Sequence, residues 1–556
     1  MNDHALHVLE YADLLEYLSR YTESEVARSI ILNAEPETDY RSIKYQLDLL
    51  TEFRKLRWSG HPIPTIRGPE NDWSDNIRSS KLENWILTAD CIAGIGRIID
   101  MTTTISDGMK KLETIPLLKQ TVDRLVKLPE LSRSISRTVS DKGGILDSAS
   151  PQLALFRRNI RKQQERIRTR LEEMAVSLYE KGAVQEPIVT IRNGRYVLPV
   201  RSGSVRDVPG MVHDRSASGA TFFIEPKGSM SDHNALTKLE ADVLQEETRI
   251  LRELTSHIGK QADLILRNIE IIVELDVLQA KARFCDEVKA EPIEPERTPV
   301  AHIIGGRNPL LVLHRLFSHD PEERVRPVVP LDVTVDDSHR VLIITGPNTG
   351  GKTVALRTIG LLVLMVQTGL HPTCAESSRI GLFHNIFADI GDEQSVQQSL
   401  STFSSHVKQI IKILELADHR SLVLLDELGA GTDPAEGSAL GIAILVELLQ
   451  RGVWVIANTH HNTIKAFAFT TEGISNAAME FNIDTLEPTY RIVMGRIGQS
   501  NALAIAARLG FPDRLVHRAR DHMEGKILDL QTMLDEVDRS RLQAEEQIAR
   551  ANNERS

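Results

Sequence analysis

Cysteine is nearly missing from this chain of 556 residues: Cys91, Cys285 and Cys374 lie far apart, and no Cys-x-x-Cys pair occurs. That excludes a zinc ribbon or a disulfide framework and predicts a reducing, cytoplasmic setting. Aromatic residues make up only 4%, which suits long helices better than a β-sandwich. Long apolar runs are absent as well. The most apolar stretch, Ile359 to Val366, is too short to span a bilayer, so no membrane partner is expected. The opening stretch MNDHALHVLEYADLLEYL sets acids among its apolar residues and offers no small-residue cleavage site, which excludes a secretory signal. A surplus of positive charge is also lacking, with a net charge of −11.

What is present is ordinary globular composition, 41% hydrophobic and 26% charged, in a chain too long for a single core. The charge is unevenly spread. Residues 151–230 hold fourteen Lys/Arg against eight Asp/Glu, a basic middle in an acidic chain. Such a segment is either a polyanion contact or a solvated helix face.

Residues 1–150 read as a helical core domain. Tyr11, Leu14, Leu15 and Leu18 fall at helical spacing, as do Ile43, Leu47 and Leu50. WSGHPIPTIRGP, from Trp58 to Pro69, separates helices. His4, His7 and His61 are too scattered for metal binding. Residues 151–290 read as lever helices with a β clamp. Phe156, Ile160, Ile167, Leu171, Met174 and Leu178 mark one long helix over 151–183. Leu236, Leu239, Val243, Ile250, Leu254 and Ile258 begin a second, continuous over 232–289. A run of ~55 helical residues spans about 80 Å. Between the helices, at about 187–230, lie three short β-rich runs, 187–191, 195–200 and 220–224, with a hairpin signal at Asn193-Gly194. Arg192, Arg195, Arg201 and Arg206 put positive charge on this tip, where a phosphate backbone could be gripped. EPIEPERTP, Glu291 to Pro299, is a linker. Residues 300–512 alternate strands with helices, as an α/β nucleotide-binding domain does. Residues 513–556 are helical, with heptad-like spacing that begins a coiled coil.

The chemistry centres on VLIITGPNTGGKT, Val341 to Thr353. A short buried strand runs directly into Gly346-x-x-x-x-Gly351-Lys352-Thr353 and then an apolar helix, the context a phosphate loop requires. Gly346, Pro347, Asn348, Thr349, Gly350 and Gly351 let backbone N–H groups point at phosphate oxygens, aided by the positive end of the helix. Lys352 reaches the β- and γ-phosphates of ATP, and the Thr353 hydroxyl holds Mg²⁺. Ser421 to Asp426-Glu427 is a buried strand ending in two acids. Asp426 supports Mg²⁺, and Glu427 orients or deprotonates the attacking water. A further strand, Val453 to Ala457, ends at Asn458-Thr459-His460-His461, where His460 can contact the γ-phosphate.

GPNTGGKT at 346–353, STFSSHV at 401–407, DELGAGTDPAEGSALG at 426–441 and NTHH at 458–461 together resemble the MutS family of ATPases, a branch of the ABC-type fold. The GTDPAEG wording resembles the second bacterial branch rather than the mismatch-repair branch. RYVLPVRSG at 195–203 and VPGMVHDRSASGATFFIEP at 208–226 are similar to that branch's clamp. The resemblance runs over nearly the whole chain. It implies a homodimer that sandwiches each ATP between two ATPase domains, with Ser401 and Thr402 reaching the partner's nucleotide and Gly429 to Asp433 at the contact. Ser401-Thr402 can equally cap the helix that follows.

The resemblance further implies an ATP-driven clamp on nucleic acid: branched DNA, to restrain recombination, or the rRNA of collided ribosomes, for rescue. Two departures bear on this. No Phe-x-Glu wedge occurs in the first hundred residues, so mismatch reading is not expected. No Smr nuclease domain fits after the heptads, so endonuclease activity is not expected of this chain. A smaller oddity is Arg307-Asn308-Pro309, where the family tends to carry His before Pro; if that residue stacks on adenine, Asn308 does so less well. The alternatives are an SMC-like scaffold with ATP-controlled dimerisation and, behind it, mismatch repair.

Overall fold

The computed structural model describes residues 2–60, 64–109, 115–347, 350–391, 399–482, 485, 487–498, 506–507 and 510–521. Asn348 and Thr349 lie outside the described residues, as does the heptad stretch after Asp521. The chain divides into two compact units. One holds residues 64–111 and 121–273; the other gathers residues 1–63, 112–120 and 274–556. The division therefore does not follow the linear boundaries expected from the sequence: the stretch 1–150 is shared between the two units.

The unit built from 64–111 and 121–273 is organised by a pair of long helices, Pro151–Glu180 and Met230–Lys260. The first starts sharply because Ser150 accepts from Leu153 N at 3.0 Å and Pro151 occupies the first helical position. The continuous helix expected over 232–289 is instead two, Met230–Lys260 and Ala262–Glu287. Gln261 leaves helical geometry at φ −116°. Two residues earlier, a Cβ added to Gly259 would lie 2.4 Å from the Ser80 carbonyl oxygen. Only glycine permits that approach, and glycine is a poor helix former.

Between these helices lies a four-stranded antiparallel sheet in the order β1-β2-β4-β3. Its strands are β1 (Thr190–Arg192), β2 (Arg195–Arg201), β3 (Gly210–Arg215) and β4 (Thr221–Pro226). Asn193 and Gly194 make the β1–β2 turn with φ of 50° and 74°, the left-handed pair this tight hairpin demands. Strand β3 has no counterpart among the three expected runs, because five of its six residues are exposed and no apolar alternation marks it. Leu198, Val200 and Ile224 of the sheet pack with Ile167, Leu171 and Leu236 of the helices into one apolar core.

The other unit centres on a six-stranded sheet in the order β13-β12-β7-β11-β10-β9. Its strands are β7 (Val341–Thr345), β9 (Asn385–Asp389), β10 (Ser421–Leu425), β11 (Trp454–Asn458), β12 (Ile474–Asn482) and β13 (Glu487–Met494). The first five strands pair in parallel, and β13 is an antiparallel edge. β7, β10 and β11 are buried at every residue, as a sheet covered on both faces requires. A smaller sheet joins β5 (Ala301–Gly306), β6 (Leu331–Val335) and β8 (Arg379–Ile380) in the order β6-β5-β8.

The first helices of the chain dock on the helix that follows the phosphate loop, Lys352–Gln367. From Thr358 to Gln367 every residue of that helix is buried. Leu9 closes over Gly360, where an added Cβ would meet its Cδ2 at 2.6 Å. Gln367 exchanges hydrogen bonds with the Glu37 backbone at 2.7 and 2.8 Å. Lys281 donates to Thr368 O at 2.6 Å, capping the helix end with a cation.

Candidate nucleotide site and basic module

The parallel register brings the candidate residues to the carboxyl ends of β7, β10 and β11, where ligands of open α/β sheets bind. After β7 the chain turns through Gly346 (φ 134°) and reaches Gly351 (φ 87°). Both angles exclude an ordinary side chain. Gly351 is the N-cap of Lys352–Gln367 and offers no side-chain cap, which leaves the first N–H groups of the helix for an anion. Gly350 N donates to Pro347 O at 3.0 Å. Lys352 is 4% exposed and donates to Gly346 O at 2.7 Å, so its ammonium lies back along the loop. Burial pushes its pKa below the usual lysine value, against the pull of Glu427 and Asp426.

Asp426 follows β10 directly. The Thr353 hydroxyl donates to its Oδ2 at 2.8 Å, and Asn458 Nδ2 donates to its Oδ1. A hydroxyl beside a carboxylate is a hard-oxygen pair that fits Mg²⁺ when phosphates and water complete the shell. Among the described residues no larger cluster of His, Cys, Asp or Glu could hold a metal. Glu427 sits in the left-handed region at φ 48°, and its N–H donates to Asn458 Oδ1 at 2.7 Å. His460 is exposed beside His461, with ring centroids 4.4 Å apart. Partial loss of water around its ring, then the charges of His461, Lys352 and Lys465, hold its pKa below the ordinary histidine value. His461 is turned the other way, with Nε2 3.1 Å from Gly429 O.

Ser401 and Thr402 lie in the first turn of helix Ser399–Leu416, and their side chains are outside the described residues. The same helix carries His406, whose Nδ1 is 2.9 Å from both carboxylate oxygens of Asp389 at the end of β9.

Beside the loop opens a cavity of about 280 Å³ lined by Gly306, Asn308, Val329, Gly351, Ala355 and Tyr490 among others. Asn308 spends its side-chain oxygen on the N–H groups of Leu310 and Leu311, at 3.0 and 3.1 Å. It is a helix cap here. Tyr490, on β13, supplies the aromatic ring of this cavity. It is half exposed, with φ of 60°, and a Cβ on Gly351 would lie 3.0 Å from its Cδ1. A tyrosine in an edge strand carries no sequence signal for such a place.

Residues 342–526 match the model of MutS domain V. The chain is 38% identical to "Endonuclease MutS2" of Halalkalibacterium halodurans over 97% of its own length and 67% of the relative's. It is 41% identical to the protein of that name from Pelotomaculum thermopropionicum, over 99% and 68%, and 39% identical to that from Bacillus cytotoxicus, over 98% and 68%. The chain belongs to the MutS2 family. It spans about two thirds of the length of these MutS2 relatives. No helix among the described residues is long and apolar enough to cross a membrane.

In this MutS2 chain the four tip arginines have unlike surroundings. Arg192 sits over the Phe223 ring at 4.3 Å and pairs with Asp214 at 3.3 Å. Arg195 pairs with Glu225 at 3.0 Å, and Glu225 is 1% exposed. His213 and His233 approach the same carboxylate at 2.7 Å each. Burial pushes the Glu225 pKa up, but His213, His233 and Arg195 together bring it below the usual carboxylate value. His233 accepts from Tyr196 N at 3.1 Å through Nε2, so its proton belongs on Nδ1, facing Glu225. Arg201 and Arg206 are exposed and make no ion pair among the described residues.

Proposed function

We propose that this chain is an ATP-hydrolysing, nucleic-acid-binding MutS protein that works as a homodimer. One observation carries the reading. The glycine loop, the Lys352 ammonium, the Thr353–Asp426 pair and Glu427 converge at the carboxyl ends of the central strands, as triphosphate hydrolysis requires. The cavity beside Gly351 and Tyr490 supplies room for the base. Thr353, with Asp426 behind it, would hold Mg²⁺, which when bound would supply neutralisation of the phosphate charge. Loop N–H groups and Lys352 bind the phosphates. Glu427 accepts the proton of the attacking water, and His460, kept neutral, has a nitrogen free to hydrogen-bond the γ-phosphate. Ser401 and Thr402 serve the partner's nucleotide.

Of the four tip arginines, exposed Arg201 and Arg206 make no ion pair among the described residues and are free to meet nucleic-acid phosphates, which suits branched DNA and ribosomal RNA alike. The MutS2 relatives carry the name endonuclease; no nuclease step is assigned to the residues described here. The test is capture with a Glu427→Gln variant, which binds ATP and does not turn it over. Retention of four-way-junction DNA supports recombination control, and co-purifying ribosomal RNA supports ribosome rescue. ATP turnover in the wild type that ignores every nucleic acid supports the scaffold reading instead.

A further inference from the structure

The parallel register of β10 and β11 places Asn458 level with Asp426, one step beyond the pair Leu425–Ala457. Its side chain is completely buried and uses both ends of its carboxamide. Nδ2 donates to Asp426 Oδ1. Oδ1 accepts the Glu427 N–H at 2.7 Å. The backbone oxygen of Asn458 accepts from Leu428 N at 2.9 Å. Three successive residues of the acidic turn are therefore tied to one residue of the neighbouring strand.

The chemistry leaves few substitutes. Asp426 has one oxygen facing the Thr353 hydroxyl at 2.8 Å, so the other needs a donor that is uncharged and fixed. Glu427 occupies a left-handed backbone at φ 48°, which is unfavourable for a non-glycine residue, and an acceptor for its N–H offsets that cost. A primary amide of this length donates to a carboxylate and accepts from a peptide N–H at once. Serine is too short, and aspartate has no donor when ionised.

We propose that Asn458 is the positioning residue of the hydrolytic centre. One carboxamide fixes the rotation of the Asp426 carboxylate and the backbone turn that aims Glu427, and so sets their mutual geometry before any nucleotide arrives. It touches neither nucleotide nor water and acts only through the two acids. This inference rests on the reading that the site hydrolyses ATP.

The test uses Asn458→Asp, which keeps size and the acceptor for Glu427 N–H but replaces the donor with a second carboxylate. Three quantities are measured: steady-state kcat and KM for ATP, affinity for a fluorescent ATP analogue in EDTA and in Mg²⁺, and the melting temperature. The expected result is a kcat at least tenfold lower, with KM within threefold and analogue affinity in EDTA within twofold of wild type. The gain in analogue affinity on adding Mg²⁺ changes by at least threefold. A kcat within threefold of wild type overturns the proposal, as does a parallel loss of affinity in EDTA, the mark of a collapsed loop. Should Asn458→Asp melt too low to assay, Asn458→Leu, similar in volume and lacking both bonds, decides by the same criteria. A wild type without turnover refutes the ATPase reading; an active wild type matched by Asn458→Asp refutes Asn458 alone.

Discussion

Lys465 takes an ammonium into a place 3% exposed, where its hydrogen-bond partners among the described residues are neutral oxygens: Asn462 Oδ1 at 3.1 Å and Gly498 O at 3.3 Å. Burial first, and the Lys352 charge second, hold its pKa down to about 8. Between pH 8 and about 10.5 the unfolded chain binds the proton that the folded chain has released, so stability rises with pH across that window. Below pH 8 the full cost remains, on the order of 3 kcal/mol. Lys465→Met removes it at the expense of an unpaired Gly498 carbonyl, worth roughly 1–3 kcal/mol. The expected outcome in urea unfolding is that the stability of the variant relative to wild type falls by about 2 kcal/mol from pH 7 to pH 10. A pH-independent difference would exclude the buried-charge account. Lys352→Ala is expected to lower ATP turnover by at least a hundredfold, about 3 kcal/mol of transition-state stabilisation. Retained turnover removes the phosphate-loop assignment. Lys352, Thr353, Asp426 and Glu427 were legible in sequence because each is set by a strand-end pattern a few residues long. Asn458, Tyr490 and Lys465 were not, because what they do depends on neighbours many residues away in the chain, brought close only by the sheet.

At the scale of elements, the β module shows why equal-looking arginines are not interchangeable. Arg195 is bound to a buried carboxylate, whereas Arg201 points into solvent. Arg195→Glu sets a second acid against Glu225 and is expected to destabilise the module by about 3–5 kcal/mol, seen as early proteolysis within residues 187–230. Arg201→Glu with Arg206→Glu is expected to leave the melting temperature within 2–3 °C, a surface effect of about 0.5 kcal/mol. It should flatten the salt dependence of nucleic-acid binding by roughly one to two phosphate equivalents. If the double variant binds as wild type does at every salt concentration, the module is not the gripping surface. The hairpin at Asn193-Gly194 and the helix Pro151–Glu180 could be read ahead of the structure, since a turn dipeptide and a capped apolar period are local signals. The break at Gln261 could not. It accompanies a close approach of Gly259 to the Ser80 backbone, a residue far off in sequence.

For the whole molecule, the homodimer reading places the first turn of helix Ser399–Leu416 against a second copy's nucleotide. Ser401→Ala is then expected to lower kcat at least tenfold with analogue affinity within threefold, and ATP is expected to shift sedimentation toward a dimer. Equal losses of binding and turnover in a protein that stays monomeric argue for a helix-capping role. The sequence announced several domains but not how the chain is apportioned among them. Composition changes at a linker such as Glu291 to Pro299, whereas the docking of Leu9 on Gly360 leaves no local mark. That docking has a consequence for biosynthesis. The unit that holds the phosphate loop is assembled from residues 1–63, 112–120 and 274–556, so the opening helices leave the ribosome long before the surface they cover exists. At about 5–20 residues per second, Leu9 waits tens of seconds for the helix Lys352–Gln367, with its apolar side bare. The intervening unit can finish folding in that interval, and the nascent chain is most open to chaperones and to aggregation while it does.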